Sequence, residues 1–439
     1  METGLPSDPE DIIEVLEKYS PCDHCLGRAF ARLLTGLSNG ERGRAVKLTL
    51  AMAAHREEDE DTLSLLASTG LEEAAAVLDE DVEVSRCRVC GDVMRRLDEW
   101  ARVAAAELDS WELNGFLVGS RWPDGVLRTE REMWEILGVK GEPIKRDFNR
   151  EVGKRVSEWI DVEGGVEGAE AELIFDFRVS LDDPKVELHV EPVYVRGRYR
   201  KLMRGLPQSK WPCPACRGAG CERCGFTGKV YLESVEELIG LVLREELSAE
   251  SHRFHAAGRE DVDVRMLGRG RPFVMEVLYP RRRSLDPGRV EEGVRRRFGH
   301  LVEVVDVDVG GPSDVERVKG LSGSALKVYR AVVFFEDDVD RGVLVDALEE
   351  LEGAVIRQRT PLRVVHRRAD KVRVKRVHEV RLLEHKGSKA VLKLTCDPGL
   401  YVKELISGDE GRTVPSLAGL VGVPAECWKL DVLDVLGEW

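Results

Sequence analysis

No stretch of the 439-residue chain approaches the ~20 uninterrupted apolar residues that a membrane span requires, so a bilayer-crossing role is excluded from the start. Neither a basic leader nor an apolar signal core follows Met1-Glu2-Thr3, and the expected location is the cytoplasm. Positive charge is also outnumbered overall. Lys and Arg number 66 against 81 Asp and Glu, and the resulting −15 argues against general adhesion to nucleic acid. An acidic balance of this size suits a salt-rich cell interior, where self-repulsion is screened within about 3 Å at 1 M ionic strength. Low-complexity tracts and long internal repeats are missing as well.

The positive charge that exists is clustered. Arg196, Arg198, Arg200, Lys201 and Arg204 fall within nine residues, and Arg367, Arg368, Lys371, Arg373, Lys375 and Arg376 form a second group beside His366. One such run is more often a solvated face than a binding site. Two runs, one with Tyr199 inside it, can neutralise phosphates locally.

Cysteine is the most patterned residue. Eight of the ten cysteines form four Cys-x-x-Cys pairs: Cys22/Cys25, Cys87/Cys90, Cys213/Cys216 and Cys221/Cys224. In a reducing compartment such pairs serve as thiolate ligands, because tetrahedral zinc takes four sulfurs and each knuckle presents two. The simplest partition joins the first two pairs and the last two, for one or two structural zinc ions. Glycines at 218, 220, 225 and 228 let the second cluster turn its backbone toward sulfur, and its text locally resembles the zinc repeats of the DnaJ chaperones. Cys396 and Cys427 lie in apolar contexts and are read as core.

The length implies several modules. Residues 1–111 are expected to be a helical zinc-binding region, with a helix over 9–19 capped by Ser7, a break at Asn39-Gly40 and a helix ending near Trp111. Residues 112–207 change to α/β: a short strand at Phe116-Leu117-Val118-Gly119, a helix with Phe148, Val152, Val156 and Trp159 on one face, then alternating runs at Leu173, Phe175, Phe177, Val179 and Val186, Leu188, Val190 that predict a hairpin. The basic segment 196–204 closes that module. Residues 208–230 carry the second cysteine cluster. Residues 231–439 form the largest α+β unit, opening with a helix capped at Ser234 and containing strands near 274–278, 330–335 and 390–396.

Taken singly, Gly258-Arg259-Glu260-Asp261 is an ordinary acidic turn. In context, Phe254-His255-Ala256-Ala257-Gly258-Arg259-Glu260-Asp261-Val262-Asp263-Val264-Arg265, with Gly270-Arg271-Pro272-Phe273, resembles the active-site segment of the archaeal and eukaryotic tRNA pseudouridine synthases of the Pus-ten family. Gly197-Arg198-Tyr199-Arg200-Lys201, Lys327-Val328-Tyr329-Arg330, Thr360-Pro361-Leu362-Arg363-Val364 and Gly399-Leu400-Tyr401-Val402-Lys403-Glu404 agree in order, over nearly the whole chain.

The resemblance implies a multidomain α+β protein. Its C-terminal pseudouridine synthase fold would be a mainly antiparallel sheet flanked by helices, preceded by a THUMP-like module and the zinc-binding region. It implies isomerisation of uridine 54 or 55, or both, in the T loop of tRNA, with the THUMP-like module on the acceptor end. Asp261 is carried over as nucleophile, with Asp263 as its rival, Tyr329 as the residue that stacks on the base, and Lys403 as the cation paired with the aspartate. Substrate contacts are expected from Tyr329, Tyr401, Arg259, Arg265, Arg198, Arg200, Lys201, Arg367 and Arg368. An isomerisation needs no redox, nucleotide or metal cofactor, and the chain is expected to act as a monomer. The competing reading is a zinc-containing RNA-binding or chaperone-like protein without chemistry. It accounts for cysteines and basic runs but leaves the ordered Asp261, Tyr329 and Lys403 segments unexplained.

Overall fold

The computed structural model describes residues 6–79, 81–160, 162–165 and 168–439, apart from the side chains of Glu163 and Arg367. The chain divides into two compact units, Met1–Glu191 and Pro192–Trp439. Among the described residues no helix is long and apolar enough to cross a membrane.

The first unit begins with helices. Pro9–Tyr19 is capped by the Asp8 carboxylate, which accepts from the Glu10 amide, whereas Ser7 donates to the Leu137 carbonyl instead of capping. Asn39-Gly40 does not break a helix. Ser38 caps Asn39–Glu57 through a reciprocal pair of bonds with Glu41, so Asn39 is its first residue.

A four-stranded sheet follows, in the order Glu163–Gly164, Gly115–Arg121, Ala171–Asp176, Lys185–Val190. The last two strands pair antiparallel as the predicted hairpin. Phe148, Phe175 and Phe177 are fully buried, and Trp122 stacks on Phe177 with ring centroids 4.5 Å apart. Trp159 and Val179, expected on the same faces, are exposed because each lies at or beyond the end of its element.

In the second unit a ten-stranded sheet runs Thr413–Val414, Val355–Arg359, Val372–Lys386, Lys389–Cys396, Lys327–Phe335, Ala425–Val435, Arg265–Pro280, Val193–Lys201, Val302–Gly310, with Ala249–Ala256 also paired to Arg265–Pro280. All its neighbours are antiparallel except Ala425–Val435 with Arg265–Pro280. This is the mixed α+β architecture expected, and it corrects one placement. The basic strand Val193–Lys201 does not end the first α/β module. It is hydrogen-bonded on both sides inside the second unit's sheet, between Arg265–Pro280 and Val302–Gly310.

The core of this unit is a single apolar cluster that runs from Val193 to Val435. Helix Val235–Glu246 packs into it, capped by the Ser234 hydroxyl, which accepts from the Glu237 amide. Cys396 is buried, while Cys427 packs against the cluster only in part.

Candidate active site

The central sheet holds one wall of a cleft and loops at its edge hold the other. Tyr329 sits mid-sheet, paired with Leu394 on one side and Val432 on the other, and is almost completely buried. Burial, the largest influence, pushes its hydroxyl above the usual range. Asp261 lies between the strands Ala249–Ala256 and Arg265–Pro280, on a loop whose carbonyls are held from below.

That support is a buried polar network. Lys201 Nζ donates to the carbonyls of Leu206 at 2.8 Å, Asp261 at 3.0 Å and Val262 at 3.3 Å. Glu260 accepts from the Tyr199 hydroxyl at 2.9 Å and from Arg271 Nε at 2.9 Å, and Gln208 Nε2 donates both to Tyr199 and to the Gly258 carbonyl. Since Glu260 points into the protein, Asp261, the next residue, points out.

Asp261 is paired with two cations of unequal closeness. Arg363 Nη1 is 2.9 Å from Asp261 Oδ2, while Lys403 Nζ is 3.8 Å from it and 2.6 Å from Asp263 Oδ2. Arg363, on the short helix Leu362–Arg367, is fixed in turn by buried Glu404 at 2.5 Å. The Asp261 side chain is 39% exposed and lines the cleft; that of Asp263 is 66% exposed and does not.

The cleft encloses about 300 Å³ and is lined by eight cationic side chains against two carboxylates, Glu260 and Asp261. A protein of net charge −15 has concentrated positive potential here, which is what attracts and orients an anionic polymer. Arg259 lines the rim with its guanidinium 5.1 Å from the Trp211 ring, and Arg368 Nη1 donates to the Tyr401 hydroxyl at 2.8 Å. Arg373 and Lys375 line it too.

Other expected contacts are placed elsewhere. Lys201 is fully buried, and Arg198 is nearly so, donating to the Gly270 carbonyl, so neither presents charge to a phosphate. Arg200 is tied to the Gly268 carbonyl and Glu303, and Arg265 makes two hydrogen bonds to Asp431 outside the cleft. The side chain of Arg367 lies outside the described residues.

Missing from the expected set is Arg363. Its segment carries the resemblance, yet nothing local marks that arginine among the others. For Lys201 a signal existed: it shares the strand face of Val193, Val195 and Tyr199, and alternation assigns that face to the core.

Both cysteine groups close as paired by spacing, each with its four sulfurs within 4.8 Å of one another. A metal–sulfur bond of about 2.3 Å in a tetrahedron places sulfurs about 3.8 Å apart. Cys22 and Cys90 are 3.8 Å apart, Cys216 and Cys224 3.9 Å, and Cys221 and Cys224 3.7 Å. Backbone amides of Gly220 and Gly228 donate to Cys216 and Cys224 sulfurs at 3.2 Å, as thiolate ligands require. Both donor sets fit a tetrahedral thiophilic cation.

Comparison with known proteins places these features in a lineage. Residues 194–436 match the family model described as "Pus10, C-terminal", and residues 100–176 the one described as "Pus10 THUMP domain, archaeal". A protein of Methanopyrus kandleri named "tRNA pseudouridine synthase Pus10" is 60% identical, over 97% of this chain and 98% of the relative. Relatives of the same name from Methanothrix thermoacetophila and Methanothermobacter marburgensis are 43% and 42% identical, covering 97% and 94% of this chain and 94% of each relative. The protein is therefore an enzyme of the pseudouridine synthase class, an isomerase. More particularly, the chain belongs to the Pus10 family.

Proposed function

We propose that this enzyme converts uridine to pseudouridine in tRNA, at position 54 or 55 of the T loop or at both, with Asp261 as nucleophile. The observation that carries the reading is the Asp261 carboxylate: half-exposed in a cationic cleft, ion-paired to Arg363 at 2.9 Å, with Tyr329 lining the same cleft. The relatives' shared name supplies the substrate class.

A cation beside a carboxylate favours its ionised, nucleophilic form. The target base must leave its stack, at a cost of a few kcal/mol, and stacking on Tyr329 offsets part of this. The carboxylate attacks C1′ as the N1–C1′ electron pair passes to the uracil, or adds to the base itself, after which the N1–C1′ bond breaks with its electron pair left on the ring. The base turns, C5 bonds to C1′ as any carboxylate bond to the sugar breaks, the C5 proton leaves to a base, and a carboxylate held by the base is eliminated. Nothing is oxidised or reduced.

Arg259, Arg368, Arg373 and Lys375 would hold backbone phosphates near the reacting loop, while the THUMP module in the first unit takes the acceptor end. In this reading both cysteine groups hold zinc, whose role is to tie loops together.

The test is to incubate an unmodified tRNA transcript with the protein and map pseudouridine. Asp261→Ala should abolish tritium release from C5-labelled uridine while tRNA binding survives. Full activity in that variant would move the nucleophile to Asp263.

A further inference from the structure

Lys327 begins the strand Lys327–Phe335, two residues before Tyr329, so the two side chains leave the same face of the sheet. It is 8% exposed and lines the cleft. Its ammonium has no hydrogen-bond acceptor among the described residues. The contrast with Lys201, which donates to three carbonyls, is sharp. An ammonium that opens only on the cleft and has no protein acceptor is left to pair with whatever anion arrives there.

The charge around it is also unbalanced. Arg271 and Lys375 act on Lys327 as like charges, and the opposing carboxylate, Glu260, is already held by Arg271, Tyr199 and Lys201. Beside them is a notch. Gly258 has φ +84°, and a Cβ at that position would stand 3.1 Å from Lys327 Nζ, 3.3 Å from Arg271 Nη1 and 3.5 Å from Ser322 Oγ. Glycine thus keeps open a point on which two cations and a hydroxyl converge.

We propose that Lys327, with Arg271 and Ser322 at the Gly258 notch, forms a subsite for a phosphate oxygen of the RNA nucleotide whose base enters the cleft. The proposal rests on the cleft being an RNA site, as read above. A phosphate is favoured over a uracil oxygen because the positive surplus exists before any chemistry. A phosphodiester carries its charge throughout, whereas the base carries one only while its bond to the sugar is broken.

Burial first, then Arg271 and Lys375, push the Lys327 ammonium down to about 8, with Glu260 opposing. Its charge is therefore present at neutral pH and lost as pH rises through that value. The experiment measures tRNA-transcript binding by direct titration, together with kcat and KM, from about pH 6.5 to about pH 9.5. It uses the full chain, K327M and K327R.

Wild-type affinity should weaken above pH 8. K327R should keep the affinity and lose that pH dependence, and K327M should raise KM about tenfold while kcat stays within about threefold. A methylphosphonate placed in turn 5′ and 3′ of the target uridine should weaken wild-type binding at one of the two positions, and weaken K327M no further there. This arm and K327R keep the test intact if K327M folds poorly. A loss confined to kcat would assign the amine to the base, and unchanged constants would remove the subsite; either overturns the proposal. Because binding is read independently of product, a wild type that binds with this pH dependence yet forms no pseudouridine would sink the proposed function and leave the subsite standing.

Discussion

Arg363 Nη1 stands 2.9 Å from Asp261 Oδ2, inside the 3.8 Å at which Lys403 stands from the same oxygen. The cation nearest the proposed nucleophile is therefore the arginine, and Lys403 spends its shortest contact on Asp263. A guanidinium anchored by Glu404 also fixes direction, which a flexible ammonium does not. Arg363→Ala should lower kcat by about 100- to 1000-fold, a loss typical of removing one organised electrostatic partner. Lys403→Ala should cost about tenfold, the effect of a charge acting at longer range. Single-turnover tritium release measures both. Equal losses, or a larger one for Lys403, would return the role to the lysine.

Lys201 and the cleft arginines separate support from contact. Lys201→Met strips three loop carbonyls of their donor and leaves Glu260 short of a cation. It should destabilise the protein by about 3–5 kcal/mol, as breaking a buried pair does. The salt dependence of tRNA affinity in the folded fraction should be unchanged, since the residue is sealed from solvent. Replacing Arg368 and Arg373 together by alanine should do the opposite, lowering the slope of log affinity against log salt by about 2 with little change in urea midpoint. A slope change in Lys201→Met would contradict its burial.

These cases show where legibility stopped. The cysteine groups could be read because ligand spacing is local, four sulfurs carried by two short knuckles each. The hairpin and the long strands could be read because alternation is local too. Membership of the core was misread for Trp159, in the last turn of its helix, and for Val179, beyond the end of its strand. The arginine partner of Asp261 lay 102 residues along the chain, and among 66 basic residues charge alone does not say which one meets it. Lys201 and Arg200 look alike in composition and differ only in strand face, a distinction that follows once the strand's register is known.

Asp431 gathers three arginines: Arg265 by two bonds of 2.9 and 3.1 Å, Arg330 at 2.8 Å, and Arg204. Burial raises this carboxyl, and the arginines more than reverse that, leaving it below the ordinary value. A carboxyl depressed in the folded state stabilises at pH values above its unfolded value and loses that contribution as pH falls through the folded one. Asp431→Asn should therefore cost about 2 kcal/mol at neutral pH. The gap between variant and wild type should close below about pH 4. Urea midpoints at both pH values decide it, and a gap that persists in acid would mean packing, not charge, is what the aspartate supplies.

The two cysteine groups should behave differently although their sulfur geometry matches. Cys22, Cys25, Cys87 and Cys90 are all buried within the core of the first unit, so an ion there is enclosed by the same packing that it organises. Of the second group only Cys213 is buried, and the ends of its short loop meet at the bridge between Pro212 and Lys229. A structural zinc contributes on the order of 10 kcal/mol to the segment that folds around it, which the larger unit shares over many contacts and the small knuckle does not. Purified protein should carry two equivalents of zinc. A chelator should remove the 213–224 ion first, leaving the near-ultraviolet signature of the buried Trp100 and Trp122 unchanged, and remove the second only as that signature is lost. Cys221→Ser should retain one equivalent and a soluble fold, whereas Cys87→Ser should also lower the unfolding midpoint of the first unit. Loss of both ions together under chelation would show that burial does not govern their release.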